Sequence, residues 1–524
     1  MFVLLHSYLF PLTCSPITIM FWDNVSLPNA WAIVTLTGLL FILSRYVSPS
    51  VESLEPPLLR PRVPLVGHII SMFSEGGGFY VRLFKERRMP ICTLPMLNGK
   101  VYIINSPDLI QSALKNNDIS FDPFLVEFSK AMWGLSQNAG DLISDKEYLK
   151  TGLSIIQSTL MGEPLHRLNL SALTRLMTYL NPIRPGEELD APDVFIWLRD
   201  ILTDATATAL FGAKNPLTVD KAHLMWTFDK QSMFVALGVP SFITKKAINA
   251  RREINNLLLT YYESGSELED GVSDIIRDRV KFLRSTGFTD DDLAHMETLL
   301  PWVGVTNTAP TLFWLFVHVL TNPHYLSRVR TEIEEIIIIT NGPDGKTATF
   351  DVRKLEKCCP FLHACYQESL RHYLHSIGNR RVMEDTKVQD AQGRSYLLKK
   401  GFNIQWAPSV THFIDEIWGP DANTFKPERF LDVSVQDEKK RRGSQLSFGG
   451  GKHLCPGRKF AFTEILGFVG VVALSFEAEG LSLPKSRDPG VGVGPRMPDW
   501  GGFDPGFRLR RREGWEDVTW VFQE

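Results

Sequence analysis

Cysteine is scarce in this chain. There are six in 524 residues, at positions 14, 92, 358, 359, 365 and 455, and no two are spaced as Cys-x-x-Cys. That scarcity argues against a disulfide framework and against clustered zinc or iron–sulfur sites, and it suits a reducing, cytosol-facing compartment. The chain also lacks an excess of either charge: the formal net charge is -3, with 22% charged residues. Nothing in that balance recommends nucleic acid as a partner. Internal repeats and long low-complexity tracts are missing. So is a dinucleotide fingerprint. Gly490-Val491-Gly492-Val493-Gly494-Pro495 runs on into Pro498 and more glycine rather than into a helix, and it reads as loop. What the chain does have is apolar mass, 44% of its residues, enough for a large core.

Two apolar stretches come first. Residues 1–22 are broken by Pro11 and Pro16. They admit three readings: a second span, an interfacial helix, or an upstream start with Met20 as the alternative. Residues 27–43 carry no charge and are about as long as the shortest bilayer span. A transmembrane helix is expected over about 27–45. Asp23 precedes it and Arg45, Arg60 and Arg62 follow, which places the body on the cytosolic side. A basic segment ahead of the apolar run, the mark of a cleaved signal peptide, is missing. Asn24-Val25-Ser26 fits a glycosylation sequon that would be lumenal. The prolines at 56, 57, 61 and 64 then make a stiff, non-helical linker. The expected organisation is a hydrophobic N-terminal region at 1–48, a proline-rich hinge at 49–67 and one large domain at 68–524.

Helical periodicity dominates that domain. Residues 192–211, 247–262 and 269–285 read as helices, and 101–105 as a short strand ended by Ser106-Pro107. The run of isoleucines at 336–339 reads as a helix end or a buried turn, although in isolation it would pass for a strand. The fold class is mainly α with small β-sheets.

The stretch everything else is organised around is Phe448-Gly449-Gly450-Gly451-Lys452-His453-Leu454-Cys455-Pro456-Gly457-Arg458. A cysteine at the mouth of a helix sits where N–H groups and the helix dipole stabilise a thiolate. One thiolate cannot build a zinc or iron–sulfur site, but it can hold an iron whose equatorial ligands come from a porphyrin. The spacing resembles the haem-binding loop of cytochrome P450, with Phe448, Gly451, His453, Cys455 and Gly457 at the fixed positions. By that resemblance Cys455 is the axial ligand of haem b and Phe448 packs beside the thiolate.

A second segment runs Trp302-Val303-Gly304-Val305-Thr306-Asn307-Thr308-Ala309-Pro310. Gly304 and Thr308 are four apart on one helical face, and Gly304 would let a flat ligand approach closely. Pro310 has no N–H for the Thr306 carbonyl, so a kink is expected there. The segment resembles the distal helix of P450s, with Val305 in place of a glycine and Asn307 in place of an acid. The form Asn-Thr-x-Pro-x-x-Phe-Trp is similar to the branch holding sterol 7α- and 12α-hydroxylases and prostacyclin synthase. The resemblance implies that Thr308, with Asn307 and ordered water, delivers protons on the distal side.

Glu368 and Arg371 are an i, i+3 pair, and Pro427-Glu428-Arg429-Phe430 precedes Cys455 by some twenty-five residues. These are similar to P450 elements in which Glu368, Arg371 and Arg429 would form a buried structural triad. The same resemblance assigns Arg380 to one haem propionate and His453 to the other. The family's Trp-x-x-x-Arg helix is absent, since Gln137 stands four residues after Trp133, and one propionate partner is unaccounted for.

The resemblance covers residues 56–510. It implies a P450 fold with an N-terminal membrane anchor, in the endoplasmic reticulum membrane and facing the cytosol. The implied activity is a haem-thiolate monooxygenase using O2, with electrons from NADPH through NADPH-cytochrome P450 reductase. Its substrate would be lipophilic, steroid or terpenoid-like, as in secondary metabolism. An isomerase or dehydratase on the same fold, acting without O2, is the alternative. Lys439, Lys440, Arg441, Arg442, Lys452, Arg458 and Lys459 read either as a basic docking face for the reductase or, at 439–442, as a solvated charge run.

Overall fold

The computed structural model describes residues 50–61, 67–96, 99–343, 345–488 and 494–523, with Thr35 and Gly38. The expected transmembrane helix lies outside the described residues apart from those last two, as do residues 1–22 and parts of the hinge and of the 490–495 loop.

The described chain is mainly helical. The helices used below are α1 (Asp122–Trp133), α2 (Lys146–Thr159), α3 (Gly162–Leu180), α4 (Val194–Phe211), α5 (Ala222–Ala236), α6 (Lys245–Glu263), α7 (Asp274–Ser285), α8 (Asp290–Glu297), α9 (Leu299–Val305), α10 (Thr308–Thr321), α11 (Pro323–Glu334), α12 (Pro360–Tyr373), α13 (Val435–Ser444) and α14 (Arg458–Ser475). The strands are β1 (Ile91–Met96), β2 (Gly99–Ile104), β3 (Ile119–Ser120), β4 (Ile337–Gly342), β5 (Gly345–Phe350), β6 (Gly378–Val382), β7 (Asn403–Trp406) and β8 (Val518–Phe522). Local chemistry sets several helix ends. Asp145 caps α2 by accepting from the Tyr148 N–H, and Asp193 caps α4 by accepting from Phe195 and Ile196. Pro323 and Pro360 open α11 and α12, where an N–H has no partner to lose.

Two helices form the centre. α14 is buried at every residue from Thr463 to Ser475, as expected of a helix that is apolar all round. α10 is buried from Thr308 to Val319. Together α8, α9 and α10 make the one described helical run (290–321) long and apolar enough to cross a membrane by length and composition, yet most of it is inside the protein. It is a core element. α3, α4 and α11 pack around this pair.

A five-stranded sheet in the order β1-β2-β7-β6-β3 stands beside the helices. β7 runs parallel to β2 and antiparallel to β6, with Ile404 opposite Arg380. That register is what brings Arg380 to the loop around Cys455. The isoleucine run departs from the helix-end or buried-turn expectation. It is strand β4, paired antiparallel with β5, and Ile338 and Ile339 are about half exposed. The hairpin supplies backbone partners, so these side chains need no burial to be ordered.

Candidate functional site

The loop before α14 folds back on itself. Gly451 has φ +64, and a Cβ there would lie 2.4 Å from the Leu114 carbonyl oxygen, so only glycine fits. Cys455 donates its N–H to the Phe448 carbonyl at 3.0 Å. Its sulfur accepts from the Gly457 and Arg458 N–H groups where α14 begins. Burial pushes the thiol up, while those N–H groups and the Arg458 charge oppose the shift. Gly457 has an ordinary φ of -76 and open space where a Cβ would stand, so its contribution is the N–H. The Phe448 ring is partly buried at the edge of the main core.

Behind the loop lies a buried charge cluster. Glu368 and Arg371 on α12 are fully buried and bond bidentately at 2.7 and 2.8 Å. Arg429 adds a third bond to Glu368 at 3.0 Å, and the Lys426 N–H a fourth at 2.8 Å. The remaining guanidinium N–H groups meet the carbonyls of His412, Ala422 and Trp418. Every partner is satisfied, the condition under which buried ions are tolerated. His412 carries this order to the cysteine loop. The Leu446 N–H donates to its Nε2 at 3.0 Å, so Nδ1 holds the proton and donates to the Arg371 carbonyl at 2.9 Å. Its role was not readable from the sequence.

At the rim Arg380 is 7% exposed. It donates to the Asn379 and Gly450 carbonyls and lies over the rings of Phe121 and Trp406. It has no ion-pair partner among the described residues, and burial pulls its guanidinium down to about 10. His453 Nε2 is 3.5 Å from Asp122 Oδ1, and burial lowers its pKa while Asp122 opposes that. Both side chains line a cleft of about 960 Å³ together with Asp122, Lys146, Lys150 and Lys452. Lys146 and Lys150, spaced i, i+4 on α2, are cations the sequence reading missed. The signal was the pattern Lys-Glu-Tyr-Leu-Lys after an Asp cap. Trp133 is fully buried against Phe228 and Trp302 instead of standing at this rim.

The central helix breaks where Pro310 led us to expect it, with Thr306 and Asn307 forming a turn between α9 and α10. Thr311 answers the break by donating its hydroxyl to the Asn307 carbonyl at 2.7 Å. Val303 and Asn307 are exposed although this helix runs through the protein interior. Four apart, they share a face. Thr308 is 7% exposed and lies on the flank. Gly304 differs from the expectation of a close approach to a flat ligand. A Cβ there would stand 3.0 Å from Thr206 Cγ2, so its smallness lets α9 close on α4.

These residues fit a haem. Among the described residues no group of three His, Cys, Asp or Glu could hold a metal, so an iron at Cys455 must bring its own equatorial ligands. The buried, unpaired guanidinium of Arg380 calls for an anion, as a propionate would supply.

Comparison with known proteins agrees. The family model described as Cytochrome P450 matches residues 56–496. A cytochrome P450 monooxygenase of Gibberella zeae is 35% identical over 497 residues, covering 93% of this chain and 94% of that protein. Cytochrome P450 monooxygenase nodJ of Hypoxylon pulicicidum is 27% identical, covering 94% and 96%. The cholesterol 7-alpha-monooxygenase of Cricetulus griseus is 27% identical, covering 85% and 92%. A cysteine loop on a helix N-terminus, a buried Glu–Arg–Arg cluster behind it and a broken central helix thus occur in a chain that belongs to the cytochrome P450 family of haem monooxygenases.

Proposed function

We propose that the protein inserts one oxygen atom from O2 into a polycyclic, lipophilic substrate of terpenoid or steroid type. Electrons would come from NADPH through a flavoprotein reductase, at the endoplasmic reticulum membrane with the domain facing the cytosol. The observation that carries the reading is Cys455, its sulfur held by two N–H groups at the start of α14 and backed by a fully satisfied charge cluster. Sterol hydroxylases among the relatives support the substrate class. Haem, when bound, supplies the oxygen chemistry. The chain's part is to hold, orient and protect. Cys455 Sγ would hold the haem iron, with the Gly457 and Arg458 N–H groups sharing its charge. Arg380, His453, Lys146 and Lys150, which line one cleft, would take the propionates. Asn307 would orient water with its side-chain amide, and Thr308 Oγ1 would pass a proton along that water. Asn307, at the break of the central helix, is exposed and is an amide, not an acid. That favours, as a second reading, an isomerase or dehydratase acting without O2.

Cys455→Ala should abolish the absorbance band of a thiolate-ligated haem on reduction and CO binding, with the fold retained. Turnover of a terpenoid and sterol panel should require NADPH, reductase and O2 together. Turnover of a peroxide substrate with all three omitted would establish the second reading instead.

A further inference from the structure

One group of cations plays no part in the site described so far. Where α14 ends, the chain passes into a strand, Phe476–Glu479, that pairs antiparallel with Phe507–Arg511, Phe476 opposite Arg511. Arg330, on α11, reaches this corner and donates to the Ala473 and Phe476 carbonyls and to Glu477. The Arg511 guanidinium lies over the Phe476 ring, 4.7 Å from its centroid. Arg512 is tied to the same corner by its backbone N–H, which donates to the Ser475 carbonyl. All three side chains line one cleft of about 560 Å³, together with Arg510, Glu477 and Glu513.

Part of this arrangement is structural. Arg511 Nε and Nη2 donate to the carbonyls of Leu180, Asn181 and Ile183 and so close the C-terminal end of α3. Arg330 does the same for α14. Charge is left over all the same. Arg511 is 7% exposed, its Nη1 has no hydrogen-bond partner, and neither has the buried Nε of Arg512. Neither guanidinium has an ion-pair partner among the described residues. Burial pulls Arg511 down to about 10; burial and then the Arg330 charge lower Arg512, with Glu334 and Glu477 opposing. The acids nearby do not answer these two cations. Glu477 is taken by Arg330 at 2.8 Å and Glu479 by Arg510 at 3.1 Å, while Glu513 is exposed and pairs with no cation among the described residues. Buried cationic N–H groups without partners are costly, and closing α3 uses only two of the three Arg511 nitrogens.

We propose that this cleft is a binding site for a phosphate ester, held by Arg330, Arg511 and Arg512. A phosphate group offers three acceptor oxygens and carries close to two negative charges, where a carboxylate offers two oxygens and one charge. The guanidiniums are already positioned, Arg330 and Arg511 by the carbonyls they cap and Arg512 against the Trp515 ring at 5.6 Å, so binding costs little side-chain freedom. The bound phosphate bridges α11, the end of α14 and the strand ending at Arg511, so occupancy stabilises the fold. None of this depends on the haem reading. A soluble phosphate ester and an anionic lipid headgroup share the chemistry, and the experiment separates them.

The test uses the full-length, haem-loaded protein in phosphatidylcholine nanodiscs at constant ionic strength. In calorimetric titration inorganic phosphate should bind saturably and roughly tenfold or more tightly than acetate, and it should raise the unfolding temperature. Arg512→Gln leaves both helix closures in place, and Arg511→Lys keeps a cationic donor for the α3 carbonyls. Each should weaken phosphate binding roughly tenfold. Discs that also contain phosphatidic acid name the source: phosphate binding lost there assigns the cleft to a lipid headgroup, and phosphate binding retained assigns it to a soluble ester. A wild type that binds phosphate no better than acetate, or a folded variant that binds it like wild type, overturns the proposal. Thermal unfolding without phosphate reports on the fold of each variant.

Discussion

At the scale of single residues, two buried glutamates show opposite solutions. Glu368 faces two guanidinium groups and the Lys426 N–H. Glu464, on α14, has one bond, from Thr206 Oγ1 to its Oε1 at 3.0 Å, and its Oε2 has none. Burial pushes the Glu464 carboxyl up to about 8, with the Thr206 bond opposing. The folded protein therefore keeps this proton at neutral pH. The unfolded chain releases it near the ordinary value of 4.5. Between those values the unfolded state binds fewer protons, so stability falls as pH rises and levels off above about 8. The loss is on the order of a few kcal/mol. Glu464→Gln keeps an acceptor for Thr206 and has nothing to titrate. Urea unfolding at several pH values from 5 to 9 should show wild type weakening across this range relative to the variant. Parallel profiles would rule the idea out.

At the scale of elements, the break between α9 and α10 decides which way Asn307 faces. Pro310 has no N–H for the Thr306 carbonyl, and the turn at Thr306–Asn307 follows. Pro310→Ala restores that donor and lets the helix run straight through. Stability should stay level or rise, since proline is a poor residue inside a helix. Turnover should fall roughly tenfold, because Asn307 then turns with the helix; effects of that size follow small misplacements. Thermal unfolding and product formed per NADPH consumed check both halves, and full turnover with unchanged coupling would refute the role given to the break. The kink was legible in the sequence because its cause is a single residue. So were the cysteine loop and the Glu368–Arg371 spacing, whose geometry is local. The exposure of Val303 and Asn307, the place of Lys146 and Lys150, and the His412 bridge were not. Each depends on which distant element packs alongside, and one chain's periodicity does not carry that. The isoleucines of β4 misled for the same reason: their order comes from β5, and in the sequence they resemble a buried run.

Over the whole molecule, charge is sorted more sharply than the sequence implied. The basic run at 439–442 lies on α13, but its members differ. Arg441 turns in to the Arg429 carbonyl, and Arg442 pairs with Glu438. Arg458 donates to the Cys455 carbonyl at 2.9 Å. Lys439, Lys440, Lys452 and Lys459 remain exposed and without an ion-pair partner among the described residues. Lys452 borders the cleft lined by Arg380 and His453, which leaves Lys440 and Lys459 as the cleaner probes of a docking face. Exposed charges of this kind steer encounter more than they add affinity. The double variant Lys440→Glu, Lys459→Glu should therefore lower the rate of reductase-supported reduction several-fold at low ionic strength. Raising the salt to about 0.5 M shortens the screening length to a few ångströms and should close the gap with wild type. Haem content and ligand binding should not change, since both side chains are exposed and neither lines the cleft with Arg380 and His453. An equal rate at low salt would mean that the reductase docks elsewhere, and that the exposed lysines around the cysteine loop serve only solvation.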